Sequence, residues 1–443
     1  MLEGGGSRMM PLHLSAAGAD RSERALALLI GFAAFTMSMH VLRLGPINVT
    51  VSDAALVGCL VLLVTRQQLN HVPFGKLSFA WCAGLSLMLG GLLVSSVVNG
   101  DPLRWINVAA QYLFAWLLLP MVLFSFSRER MQRCTLLFVY GVAASQAFSI
   151  AASYTLPQGT LTALFGPGFV MGNGRLGALT GEGNWNGAVI AFAFPMLINA
   201  MQRGNIAKWS ALLCIVFMLW GLVACASFTG FGATAAAVAI TIGITSPRRL
   251  FTVGLPLAGL VVAYLVSGLP LPGIFEQRVA GALTSGDLSH AGTFAGRSHL
   301  IVEAWKLSSE TILLGFGVDR YREVSTLGAP VHQFFLLILT EGSAFALCGL
   351  LMLMTMLWVK AVQANRVSRS DGANAVAVLV VFCIFTSAVP HMYTRLWIGP
   401  VLLALAAAAR QARPQDWIEG SARIVRSARA RSRARSVTKE QLA

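Results

Sequence analysis

The chain has 443 residues, of which 56% are hydrophobic and only 12% charged, and its mean hydropathy is +0.70. That balance excludes a soluble globular fold and makes the bilayer the solvent of the protein. The net charge of +15 does not call for a nucleic-acid partner, because the basic residues sort along the chain as an orientation signal.

Residues 1–24 are expected to form a cytoplasmic N-terminal segment, with Met1 to Met10 reading as leader sequence without a fold. Apolar runs long enough to span a bilayer follow at about 25–42, 49–65, 77–97, 105–126, 134–153, 185–201, 207–226, 228–245 and 249–268. A polar stretch, 269–331, interrupts them, and three more runs lie at 332–359, 372–390 and 395–409. No small-residue cleavage site follows the first run, so it reads as an uncleaved span. The expected fold is an all-α polytopic membrane protein of about 12 transmembrane helices with one large loop before helix 10. A basic tail, 410–443, with Arg-Ser-Ala repeats between Arg423 and Arg435, completes the chain and lies near anionic cytoplasmic lipid.

With the N-terminus cytoplasmic, the inner segments hold 24 of the 33 basic residues, including Arg66, Arg128, Arg130, Arg203 and Arg369. Both termini are then inside and the 269–331 loop faces outward. The acids lean the other way, with ten of 18 outside. All seven cysteines, Cys59, Cys82, Cys134, Cys214, Cys225, Cys348 and Cys383, sit in apolar runs without pairing or ligand spacing, and read as small buried hydrophobes. Neither the histidines nor the acids have metal-ligand spacing, so no metal and no cofactor is expected.

Three outward places carry polar residues that a membrane span does not require. The loop from Gly172 to Ala188 exposes backbone amides through its glycines and holds Arg175 among small residues, a setting in which an anion can approach closely. Its Asn184 and Asn186 serve equally well as caps of the sixth helix, and both roles can share one helix end. In the long loop, Leu300, Ile301, Ala304 and Leu307 recur at helical spacing, which predicts an amphipathic helix on the membrane surface with Arg297 at its start. Gly315-Phe-Gly317 ends it, and Asp319-Arg-Tyr-Arg322 makes a charged turn towards Pro330 and His332. The tenth run carries His332 and Glu341, nine residues apart and therefore on opposite helix faces. Glu341 lies about 13 Å below His332 along a helix, deep enough to need a partner or a water-filled cavity.

Three stretches together, Gly174-Arg175 through Thr180-Gly181 to Asn184-Trp-Asn186-Gly187-Ala188, then Arg297 through Trp305 to Leu314-Gly-Phe-Gly317, then Val331-His-Gln to Glu341-Gly342, resemble the O-antigen ligase and polymerase superfamily of bacterial membrane glycosyltransferases. The resemblance covers about 170–345. Asn184-Trp-Asn186 stands where that family commonly has Asn-Pro-Asn, Gln333 where it has Asn, and Ser227-Phe-Thr-Gly-Phe-Gly232 where it has Ser-x-Ser-Arg-Gly. The missing arginine shifts weight onto Arg175, Arg297 and Arg322.

The resemblance implies a periplasmic loop at 269–331 in the bacterial inner membrane, and transfer of a glycan from an undecaprenyl-diphosphate-linked oligosaccharide to a glycan acceptor, without metal. A polyprenyl donor reaches its enzyme through membrane lipid, and a diphosphate leaving group calls for guanidinium partners. On this expectation Arg175, Arg297 and Arg322 hold the diphosphate, His332 takes the acceptor hydroxyl's proton, and Asn184, Asn186 and Glu341 support them. A polymerase of a surface or exopolysaccharide leads, with an O-antigen ligase acting on lipid A-core as the alternative. From other classes come a transporter or flippase of lipid-linked sugars, and a scaffold among other polysaccharide export proteins.

Overall fold

The computed structural model describes residues 16–43, 49–254, 259, 273–281, 294–390 and 392–409. The leader, the ninth run beyond 254, parts of the long loop and the tail from 410 lie outside the described residues. The longer helices are α1 (Ala16–Thr36), α2 (Val51–Thr65), α3 (Ser78–Asn99), α4 (Pro102–Leu123), α5 (Arg128–Thr155), α6 (Gln158–Phe165) and α7 (Gly183–Gln202). They continue with α8 (Lys208–Cys225), α9 (Phe228–Thr245), α10 (Phe294–Ser308), α11 (Phe334–Val367), α12 (Arg369–Thr386) and α13 (Arg395–Ala408). Among the described residues β-structure is limited to two isolated bridges, Arg43 with Thr50 and Val170 with Leu176. The protein is all-α, and seven helices, α3, α4, α5, α8, α9, α11 and α12, are long and apolar enough to cross a membrane.

Two antiparallel helices, α3 and α11, pack backbone against backbone. Gly84 and Gly91 are seven residues apart on one, Gly342 and Gly349 seven apart on the other. A Cβ added at Gly349 would stand 2.4 Å from the Gly84 carbonyl, and one at Gly91 2.9 Å from the Gly342 carbonyl. Small residues at such a seam let dispersion act between whole backbones, which is what associates helices in lipid.

Helix α4 changes pitch for a local reason. Pro120 has no N–H to give the carbonyl of Trp116, four residues earlier, and a π turn forms over Phe114–Leu118. The freed carbonyl accepts the indole N–H of the buried Trp81 at 2.6 Å, and the two tryptophans stack with centroids 5.7 Å apart.

Ion pairs tie helix ends together in two sets. Glu23 of α1 binds Arg66, just past α2, at 3.1 Å and Arg130 of α5 at 2.7 Å. Asp371 of α12 pairs with Arg128 and Arg203 and accepts from Asn199 Nδ2 at 3.1 Å. In the other set, Asp53 at the start of α2 pairs with Arg395 at the start of α13, and Arg104 pairs with Asp319. In these pairs, residues that the charge bias assigns to one side of the bilayer meet partners assigned to the same side.

The tenth run is not one continuous helix. Ser343 has φ +88° and breaks α11 just after Glu341 and Gly342. The chain from Ile312 to Val318 threads into the break. Phe316 N donates to the Thr340 carbonyl and Gly317 N to the Glu341 carbonyl, both at 2.9 Å, while Ala344 N donates to Ile312 at 2.9 Å. Its other edge is held by α3: Gly315 N donates to Ser95 Oγ at 2.9 Å, Val318 N to Ser96 Oγ at 3.1 Å, and Asn99 Nδ2 to the Gly315 carbonyl at 2.9 Å. Backbone groups released by the break are thus satisfied by protein, which irregular backbone at membrane depth requires.

Helix α10 uses its expected apolar face against protein rather than a membrane surface. Leu300 and Ala304 are buried with Tyr321, Val331, Leu336 and Leu337, and Ile301 and Leu307 pack beside them. The face left open carries Val302 and Trp305, the latter 69% exposed. Cys82 and Cys348 also depart from expectation, being exposed on the bundle surface, while the other cysteines are buried or half-buried.

Candidate functional site

The glycine-rich loop before α7 is built by close approach of its own backbone. A Cβ on Gly168 would stand 1.9 Å from the Gly181 carbonyl, and one on Gly177 1.9 Å from the Gly168 carbonyl. Backbone bonds from Val41 N to Leu179 O at 2.9 Å and Leu176 N to Ala224 O at 3.0 Å fix this coil against its neighbours. Arg175 therefore turns inward and is only 3% exposed. Its Nε donates to the Cys225 carbonyl at 2.8 Å and its Nη2 to Asn184 Oδ1 at 3.0 Å. Gly183 leaves room for the guanidinium, since a Cβ there would lie 2.8 Å from Nη2.

Neither asparagine caps α7. Glu182 does so, its Oε2 accepting from Trp185 N at 2.9 Å. Asn184 is instead the joint of the cluster: Oδ1 accepts from Arg175 and from Ser227 Oγ at 3.1 Å, and Nδ2 donates to Glu182 Oε1 at 3.1 Å. Asn186 is wholly buried and exchanges hydrogen bonds with Gln146 of α5 at 2.7 and 3.1 Å. Its role is packing between α5 and α7.

Two arginines of the long loop face Arg175. The segment 273–281 docks through Phe275, whose ring meets Phe231 of α9 at 5.9 Å, and so brings Arg278 to the cluster. Burial and the fields of Arg175 and Arg297 lower the Arg278 guanidinium below its ordinary value, against an opposing pull from Glu182. Arg297, at the head of α10, is lowered by burial and by Arg175, with Glu182 again opposing. Its buried Nε has no hydrogen-bond partner. Among the described residues, Glu182 is the carboxylate whose field reaches Arg278 and Arg297, beside the N-terminal ends of α7 and α9, whose dipoles add positive potential. Such a group attracts an anion and pays part of its desolvation beforehand.

Arg322 joins a different group. It is half exposed and sits 4.0 Å from Asp319, which Arg104 also holds. Glu341 is buried behind this turn, its Oε1 without a hydrogen-bond partner, and the fields of the Asp319 and Tyr321 backbone amides reach its carboxyl. Here two arginines pair with one carboxylate, Asp319. His332 is half-buried and stands just ahead of α11, which starts at Phe334 with Gln333 as its cap. It therefore precedes the helix that was expected to carry it.

Glu182 lies in this cluster and was not singled out from the sequence, where its only signal was charge, as the acid nearest Arg175. Arg278 was legible as one of three outward arginines of the long loop, with Arg297 and Arg322, but not as a neighbour of Arg175. Among the described residues no group of three His, Cys, Asp or Glu side chains is placed to hold a metal ion. Comparison with protein-family models and with curated proteins finds no match for the chain.

Proposed function

We propose that the protein is a membrane glycosyltransferase that takes a glycan from a lipid-linked diphosphate donor, and in the first instance a polymerase of oligosaccharide repeat units. The observation that carries this reading is the docking of 273–281 on α9 through Phe275 and Phe231, which sets Arg278, like Arg297, in the field of the buried Arg175. Arg175 spends Nε and Nη2 on Cys225 and Asn184, so it supplies field more than contact, while Arg278 and Arg297 face the anion. The glycan part of the reading rests on the resemblance over 170–345. Twelve spans in a bacterial inner membrane, cytoplasmic termini and a periplasmic site complete it, and the sorting of ion pairs into two sets supports that orientation.

In the reaction, an acceptor hydroxyl attacks the anomeric carbon. Its proton passes to His332, the bond from the anomeric carbon to the diphosphate oxygen breaks, and the diphosphate leaves with the electron pair towards Arg278 and Arg297. One displacement inverts the anomeric centre. Arg322, balanced by Asp319, is assigned to the loop's anchorage instead of the diphosphate. The test is incubation of the reconstituted protein with a lipid-linked oligosaccharide alone. A ladder of lengthening products, lost in His332→Ala and Arg297→Ala, is expected. Transfer only after addition of lipid A-core would make the protein a ligase, and no transfer with either acceptor would return it to transport or scaffolding.

A further inference from the structure

Arg297 sits on a helix that is seated from one side by the long loop's own turn. Tyr321 is fully buried, and its hydroxyl donates to the carbonyl of Leu300 at 3.0 Å. Leu300 is one turn from Arg297 on α10, so the bond fixes the face from which the guanidinium projects. A second strut joins the same elements, Thr326 N to Glu303 Oε1 at 2.8 Å. Tyr321 is in turn seated on α11, since it is buried in one apolar cluster with Leu336 and Leu337, one turn from Glu341, and the fields of its backbone amide and that of Asp319 reach the Glu341 carboxyl. Directly before that turn, Phe316 and Gly317 are bonded to the carbonyls freed by the break at Ser343. Gly315 allows the thread to lie this close, because a Cβ there would stand 2.3 Å from the Glu341 carbonyl carbon.

We infer that Glu341 and Tyr321 are positioning residues for Arg297, carrying its placement from the broken helix α11 through the 319–321 turn to α10. This rests on the anion-site reading and deepens it. Neither residue touches the anion. An acid buried at membrane depth is costly, and here the cost is offset by ordering the loop on which the arginine depends.

The experiment uses the full chain in lipid nanodiscs, with inorganic pyrophosphate as the probe and two readouts, pyrophosphate affinity and amide hydrogen exchange over 294–308. Tyr321→Phe removes one hydroxyl and little else. It is expected to weaken pyrophosphate binding about tenfold, the worth of one hydrogen bond, and to speed exchange in α10 by a similar factor. Glu341→Ala should act alike, and Glu341→Gln, which keeps an acceptor oxygen, should restore both readouts to within about twofold. Arg297→Ala should lose affinity with exchange in α10 unmoved. Adding Tyr321→Phe to Arg297→Ala should then cost no further affinity, which a general loosening of the fold would not produce. Unchanged exchange and affinity in Tyr321→Phe, or full additivity with Arg297→Ala, overturns the inference. Should the wild type fail to bind pyrophosphate while α10 still loosens in both variants, the coupling stands and the anion-site reading falls.

Discussion

Two groups of arginines stand on the side that the charge bias assigns outward, and their pairing differs. For Arg278 and Arg297, Glu182 is the carboxylate among the described residues whose field reaches them, and the guanidinium Nε of Arg297 is buried without a partner. Arg104 and Arg322 instead share Asp319, which pairs with both. On the proposed reading the first group offers positive potential to a ligand, while the second joins the loop's turn to the head of α4. Arginines that look alike along the chain thus separate by what surrounds them, and an unbalanced field is what distinguishes a site from a joint.

The sharpest way to break this comparison is to remove one arginine from each group. Arg297→Ala is expected to lower glycan transfer by about 10² to 10³, as loss of a preorganised stabiliser of leaving-group charge does. Arg322→Ala is expected to cost less than about threefold, in line with an exposed, already balanced pair. Equal losses in a product-length assay would dissolve the distinction.

The joint can be attacked through its backbone. Gly315→Ala has no room for its Cβ against Glu341 and is expected to destabilise the protein by about 1–3 kcal/mol, seen as a lowered midpoint of thermal unfolding in detergent. Breaking the exposed Arg104 to Asp319 pair by Arg104→Ala should change the same midpoint by under about 1 kcal/mol. The order of these two effects is the test, because it shows how much more of the loop's hold lies in the thread's seat than in its surface ion pair.

The smallest effect lies at the far end of the helices. Hydrogen bonding and charge from Arg130, and then Arg66, hold the Glu23 carboxyl below its ordinary value despite partial burial. A lowered folded-state value means that this stabilisation is present above the unfolded value near pH 4.3 and fades as pH falls through the folded one. Glu23 is itself half exposed, so acid should remove no more than about 1 kcal/mol, and a Glu23→Gln variant should lose that part of the acid dependence.

The helices were legible because lipid leaves few options: an apolar run must be helical, and 228–245 became Phe228–Thr245 residue for residue. The break at Ser343 was not, since Ser343 lies in an apolar run and its φ is imposed by a thread that arrives from elsewhere in the chain. For the site, Arg175, Asn184 and Arg297 could be named from residue type and setting. Arg278 could not be placed with them, because its approach depends on Phe275 meeting Phe231, a contact without a local pattern. Arg322 could not be set apart, because Asp319 is shared between it and Arg104 only after folding. The capping role expected of Asn184 and Asn186 fell to Glu182, whose longer side chain reaches Trp185 N while the asparagines turn to Arg175 and Gln146.

The glycine seam between α3 and α11 also bears on how this protein can change length. Gly84 and Gly91 meet Gly349 and Gly342 because seven residues bring a helix nearly back to the same face. Inserting or deleting one residue inside either interval would rotate the second glycine by about 100° and present a side chain to a neighbouring backbone. Both intervals should therefore keep their length in any working variant, while substitutions that point to lipid between them are tolerated. The exposed turn around His71 and Val72 carries no such register and is the better place to insert a tag or a reporter.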